Sequence, residues 1–184
     1  MKKIFLGLLA ATVLWSCNFL NKGYQDSESF KELKEELIKK FGKDAYYTSF
    51  TIANDKNATI VSVTETDNPS SLKMAEWMKL NGVWKQNADV TLEVSEGSKA
   101  EDFMFQLDKT MNMELLGKLV DEAKQKVISE KNIKEVNVKM VSFSAPDDGD
   151  FSHAQYYIII EPKQGGTDFK FSYNLDGTLA KFDY

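Results

Sequence analysis

The chain of 184 residues carries 23 basic and 28 acidic side chains, a formal net charge of −5. Every basic residue is lysine, so the rigid guanidinium fork that grips phosphate in two places is missing, and the negative balance offers phosphate backbones no general attraction. Both features count against nucleic-acid recognition. Cys17 is the single cysteine, so no intramolecular disulfide is possible.

Two lysines, Lys2 and Lys3, stand before an uncharged run from Ile4 to Trp15. The run is too short to cross a bilayer, which takes roughly 20 apolar residues. Its length and flanks are those of a secretory h-region rather than of a core helix. The segment Leu14-Trp15-Ser16-Cys17 resembles the lipobox of bacterial lipoproteins. Leu14 and Ser16 fit that pattern, and Trp15 departs from it where a small residue is preferred. The resemblance implies that residues 1–16 are a signal peptide, that diacylglycerol is attached to the Cys17 sulfur, and that the new N-terminus is acylated. Two or more acyl chains hold a protein stably on a membrane. Asn18 follows the cysteine, where aspartate would signal inner-membrane retention, so lipoprotein sorting implies the outer membrane. The mature chain would have 21 basic and 28 acidic residues, a net charge of −7. Residues 17–27 read as the lipidated cysteine and a polar tether, which spans at most ~35 Å over ten extended residues.

From Glu28 to Phe41 an apolar stripe of Phe30, Leu33, Leu37, Ile38 and Phe41 predicts a helix, with Ser27 or Ser29 as N-cap and Gly42 as its stop. The period then changes to two. Tyr46–Ala53 and Thr59–Thr66 are β-branched and aromatic, with the turn residues 54–57 between them. Asn68-Pro69-Ser70-Ser71 breaks the chain. Asn81-Gly82 between Trp77–Leu80 and Val83–Lys85 predicts a tight hairpin, because both central residues of a type I′ turn need positive φ. Leu72–Met78 reads as strand or short helix, and Val90–Val94 as a further strand. Residues 95–100 mark a boundary, followed by a short apolar patch at Phe103-Met104-Phe105.

A second helix is predicted over Met113–Ser129, with Leu115, Leu116, Leu119, Val120, Ala123 and Val127 on one face. Strands resume at Glu135–Ser144, Ala154–Glu161, Asp168–Tyr173 and Thr178–Asp183. Leu80-Asn81-Gly82-Val83 and Leu175-Asp176-Gly177-Thr178 sit near the ends of the two halves. The expected fold class is therefore α+β: two α-β-β-β(-β) units, residues 28–95 and 96–184, each a helix packed on an antiparallel sheet.

The second half resembles the PepSY-type unit of bacterial envelope proteins in its helix 113–129, its strands 135–144, 154–161 and 168–173, and its Leu175-Asp176-Gly177 hairpin. Residues 28–94 match more loosely. The resemblance implies envelope sensing, inhibition or binding, and transfers no residue roles.

Catalytic chemistry finds little material. His153 is the single histidine and falls at a turn. No nucleophile elbow or phosphate loop appears. A lone cysteine and a lone histidine make a poor zinc set. Asp147-Asp148-Gly149-Asp150 lacks the ligand spacing of a calcium loop. No cofactor and no metal are expected. Paired carboxylates of a polysaccharide hydrolase are the distant enzymatic reading. The leading expectation is a non-catalytic lipoprotein, tied to the membrane through Cys17, that binds an envelope protein or a glycan. Inhibition or regulation of an envelope enzyme is the alternative. Adjacent strand residues face opposite ways, so one member of Tyr46-Tyr47 and one of Tyr156-Tyr157 should lie on an outer face. With Trp77 and Trp84 these tyrosines make up the candidate binding surface.

Overall fold

A computed structural model describes residues 23–55 and 57–184. The expected signal peptide, residues 1–16, and the expected lipidation site Cys17 lie outside the described residues. Helix α1 (Ser27–Phe41) is followed by strands β1 (Tyr46–Asn54), β2 (Thr59–Thr66), β3 (Lys73–Leu80) and β4 (Val83–Thr91). Helix α2 (Met113–Lys131) is followed by β5 (Val136–Ser144), β6 (Gln155–Pro162), β7 (Phe169–Asn174) and β8 (Leu179–Asp183). All eight strands form one antiparallel sheet in the order β4-β3-β2-β1-β5-β6-β7-β8. The two meanders meet where β1 pairs with β5, from Ser49 opposite Ser144 to Ala53 opposite Met140. Each helix therefore precedes a four-stranded meander, and both meanders belong to a single sheet.

The helices lie on one face. Strand residues Phe50, Ile52, Val61, Val63, Val138, Val141, Phe143, Ile158 and Ile160 share one buried cluster with Phe30, Leu33 and Leu37 of α1 and Leu116, Leu119, Val120, Ala123 and Val127 of α2. Burial of each large side chain contributes about 1.5–3 kcal/mol. The two helices touch closely. Gly117 of α2 faces Ser27, and a Cβ there would sit 2.9 Å from the Ser27 Cα.

Helix ends and loops refine the sequence reading. Asp26, not Ser27 or Ser29, caps α1. Its carboxylate accepts from the Ser29 N–H at 3.0 Å, and the Ser29 hydroxyl accepts from the Asp26 N–H at 3.2 Å. This reciprocal box satisfies two otherwise orphaned donors. Gly42 stops the helix with φ of 96°. Lys73–Met78 belong to β3, which pairs between β2 and β4, and Leu72 stands before it with φ of 58° at the end of the turn Pro69–Ser71. The expected strands at Val83–Lys85 and Val90–Val94 are one strand, carried past an irregularity opposite Glu76 and Trp77. The patch at Phe103–Phe105 is structural. Beyond the end of β5, Phe105 takes the place beside β1, exchanging hydrogen bonds of 2.8 and 2.7 Å with Tyr47.

The segment expected to be tether is partly built into the fold. The Gln25 side chain donates to the Val138 carbonyl at 3.1 Å and accepts from the Val138 N–H at 2.7 Å. The Tyr24 carbonyl accepts from Asn54 Nδ2 at 3.3 Å. Residues 23–26 thus dock where β1 ends and β5 begins.

Candidate functional site: the open face of the sheet

Alternation along the strands sends every second side chain away from the helices. On this other face, Ser62 of β2, Thr51 of β1 and Ser142 of β5 stand in register across three strands. Thr64, Ser49 and Ser144 make a second aligned row, in which the Ser49 hydroxyl donates to Thr64 Oγ1 at 3.0 Å. Most of these residues are half-buried, Ser144 is exposed, and neither α-helix lies over them. The centre of the open face is therefore a field of short hydroxyls, groups that both donate and accept.

A third row is apolar. Val83, Leu80, Ile60, Ala53, Met140 and Ile159 are successive cross-strand partners from β4 to β6. At ~4.8 Å between strands it runs about 24 Å across the sheet. Leu80 and Val83, at one end of the row, are 42% and 69% exposed.

The six aromatic residues named from the sequence do not share a surface. Tyr47 and Tyr156 are buried in the core. Trp77 and Trp84 face the helices and meet the Phe41 ring edge-on, with centroids at 5.6 and 5.4 Å. Their indole N–H groups donate to Glu65 at 2.9 Å and to Glu36 at 2.6 Å. Lys40 lies over the Trp77 ring at 3.9 Å, and Lys79 pairs with Glu36 and donates to the Tyr24 hydroxyl at 3.1 Å. The last turns of α1 thus cover both tryptophans. Tyr46 packs into a small cluster with Met74, Ala100 and Met104, where the segment before α2 folds over the sheet. Tyr157 stands on the open face between Ser142 and Ser172. The hydroxyl rows escaped the sequence reading. The signal was present as serine and threonine at alternate positions of β1, β2 and β5.

Electrostatics follow burial. Burial raises the Glu65 carboxyl above its ordinary value, against the opposing pull of the Trp77 N–H. Burial raises the Tyr47 phenol likewise, and its hydroxyl meets no hydrogen-bond partner among the described residues. The acidic turns serve themselves. The Ser152 hydroxyl, with the Ser152 N–H that donates at 2.9 Å, lowers the Asp150 carboxyl, and the Thr178 hydroxyl at 2.7 Å, with its N–H at 2.8 Å, lowers that of Asp176. His153 is exposed, with Nδ1 3.5 Å from Asp150. Among the described residues no cluster of three or more His, Cys, Asp or Glu is placed to hold a metal. A groove between the end of α2 and the β6–β7 turn, lined by Asn132, Ile133, Lys134, Gln164, Thr167 and Phe169 among others, has no carboxylate in its lining. No described helix is long and apolar enough to cross a membrane.

No protein-family model and no curated protein matches the chain. Among solved structures, a "putative lipoprotein" from Clostridium difficile 630 is similar at a TM-score of 0.47 and 14% identity, over 88% of this chain and 94% of that one. A likeness this distant carries no argument about function.

Proposed function

We propose that this chain is an envelope lipoprotein, anchored through lipid on Cys17, whose domain is a non-catalytic binding module that docks an envelope protein or glycan on the open face of its sheet. The observation that carries the docking face is the pair of aligned hydroxyl rows, Ser62-Thr51-Ser142 and Thr64-Ser49-Ser144. A core-forming sheet face is apolar throughout, whereas this one sets two rows of hydroxyl donors and acceptors beside its apolar row. The lipobox supports the anchor. The outer membrane is the destination that Asn18 favours.

Two measurements test the reading. Mass spectrometry of the N-terminal peptide should find diacylglycerol on Cys17, and the Cys17→Ala form should leave the membrane fraction. A photoreactive residue at Thr51 should capture a discrete partner in cells, while one at the exposed Lys118 of α2 should not. An N-terminal peptide without lipid sinks the anchor. Equal capture from both positions sinks the docking face.

A further inference from the structure

We infer that the tip of the β3–β4 hairpin, Leu80 and Val83, rests on the phospholipid surface and sets the sheet upright on the membrane. The inference rests on lipidation of Cys17, and adds to it the side of the domain that faces the bilayer.

Gly23, the first described residue, has a definite place on the sheet. A Cβ on Gly23 would meet the Asn54 side-chain oxygen at 2.6 Å and Thr59 Oγ1 at 3.0 Å. Asn54 and Thr59 are the pair that ends β1 and opens β2. The next residue of β2, Ile60, is the partner of Leu80, and Leu80 is the partner of Val83. Two strand spacings, about 10 Å, separate β2 from β4. Gly23 therefore lies at the end of the sheet that carries these two exposed apolar side chains.

Covalent reach does the rest. Six residue steps from Cys17 to Gly23 span at most ~22 Å even when fully extended. A lipid-bound Cys17 thus holds this end of the sheet close to the headgroups. Among the described residues the exposed large hydrophobics are Leu80, Val83, Leu179 and Tyr184, and of these Leu80 and Val83 face each other as a cross-strand pair. Lys85, exposed on the same side of β4, can lay its stem beside them and keep its ammonium at the headgroup level. The hydroxyl rows stand further from the tip and stay free for a partner.

The test uses the lipidated mature protein in phosphatidylcholine vesicles. An environment-sensitive fluorophore is placed on Val83→Cys, on Leu80→Cys, or on Ser98→Cys in the loop at the other end of β4. Brominated lipid should quench the fluorophore at positions 83 and 80 at least about two-fold more than at position 98, as burial at the headgroup–acyl boundary requires. Thermal midpoints equal to that of the parent establish that the labelled forms are folded. Equal quenching at all three positions on a protein whose N-terminal peptide carries lipid overturns the contact and leaves the anchor standing. A peptide without lipid overturns the anchor and the contact together. Shielding at position 83 that grows with protein concentration in the absence of vesicles overturns the contact in favour of a second copy of the chain.

Discussion

Tyr156 on β6 and Asn112 at the start of α2 are joined by a 2.8 Å hydrogen bond in which the Asn112 backbone N–H donates to the tyrosine hydroxyl. Asn112 also caps the helix, its side chain accepting from the Leu115 N–H at 2.9 Å. One tyrosine hydroxyl thus pins the helix start to the sheet. Tyr47, as deeply buried, has a hydroxyl without a partner among the described residues.

These two tyrosines should respond oppositely to loss of the hydroxyl. Tyr156→Phe leaves a helix N–H unsatisfied and is expected to cost about 1 kcal/mol or more. Tyr47→Phe removes a group that was desolvated without return, and should leave stability unchanged or raise it. Denaturant midpoints of the two variants check this. A loss at Tyr47→Phe as large as that at Tyr156→Phe contradicts it.

Gly117→Ala should destabilise the fold although alanine is the better helix former. The gain in helix propensity is about 1 kcal/mol. Against it, the new Cβ meets the Ser27 Cα at 2.9 Å, a backbone atom that cannot step aside without moving α1. Overpacking of this kind costs about 1–3 kcal/mol, and against a backbone atom the clash should outweigh the propensity gain. Equilibrium unfolding gives the sign directly, and a clear net gain would mean that the helices separate easily.

Glu65→Gln should stabilise the protein at neutral pH. Burial raises the Glu65 carboxyl above its ordinary 4.5, so the folded state keeps a proton that the unfolded chain has already released. Its contribution is greatest at acid pH and is lost as pH rises through the folded-state value. Glutamine stays neutral throughout, and its carbonyl can still accept from the Trp77 N–H. The advantage of the variant should therefore be small below about pH 4 and grow toward pH 7. Thermal midpoints measured across that range decide it. A variant that loses ground as pH rises would reverse the assignment.

Thr51→Lys and Ser142→Lys place a long cation in the middle of the hydroxyl rows. If the open face docks a partner, each should abolish capture from a photoreactive residue at Ser62. Stability should fall by no more than about 1 kcal/mol, the span of strand propensity. Retained capture at wild-type yield would move the binding surface elsewhere.

Much of the fold was legible in local pattern. The stripe from Phe30 to Leu37 marked the buried face of α1, and Asn81-Gly82 marked a hairpin whose two residues adopt φ of 52° and 80°. The candidate surface was less legible. Period two told that Tyr46 and Tyr47 point apart, and it could not say which neighbour covers which ring. Trp77 and Trp84 are lined by Phe41, Glu36 and Lys40, residues contributed by a helix more than thirty positions earlier. The reach of the tether was likewise overread, because Gln25 bonds to Val138 across 113 positions.

By itself the sequence determined the class of fold, the order of its elements and the turns between them, since periodicity and turn chemistry are written within some ten residues. Only the tertiary structure decided that the two meanders share one sheet. Ser49 meets Ser144 through backbone groups that every residue carries, so nothing local to β1 or β5 announces the pairing. That join, with both helices on one side, also leaves Ser62, Thr51 and Ser142 in line on the other. Their alignment is a consequence of strand register across the join, which is settled when the helix-side residues of both halves are buried together.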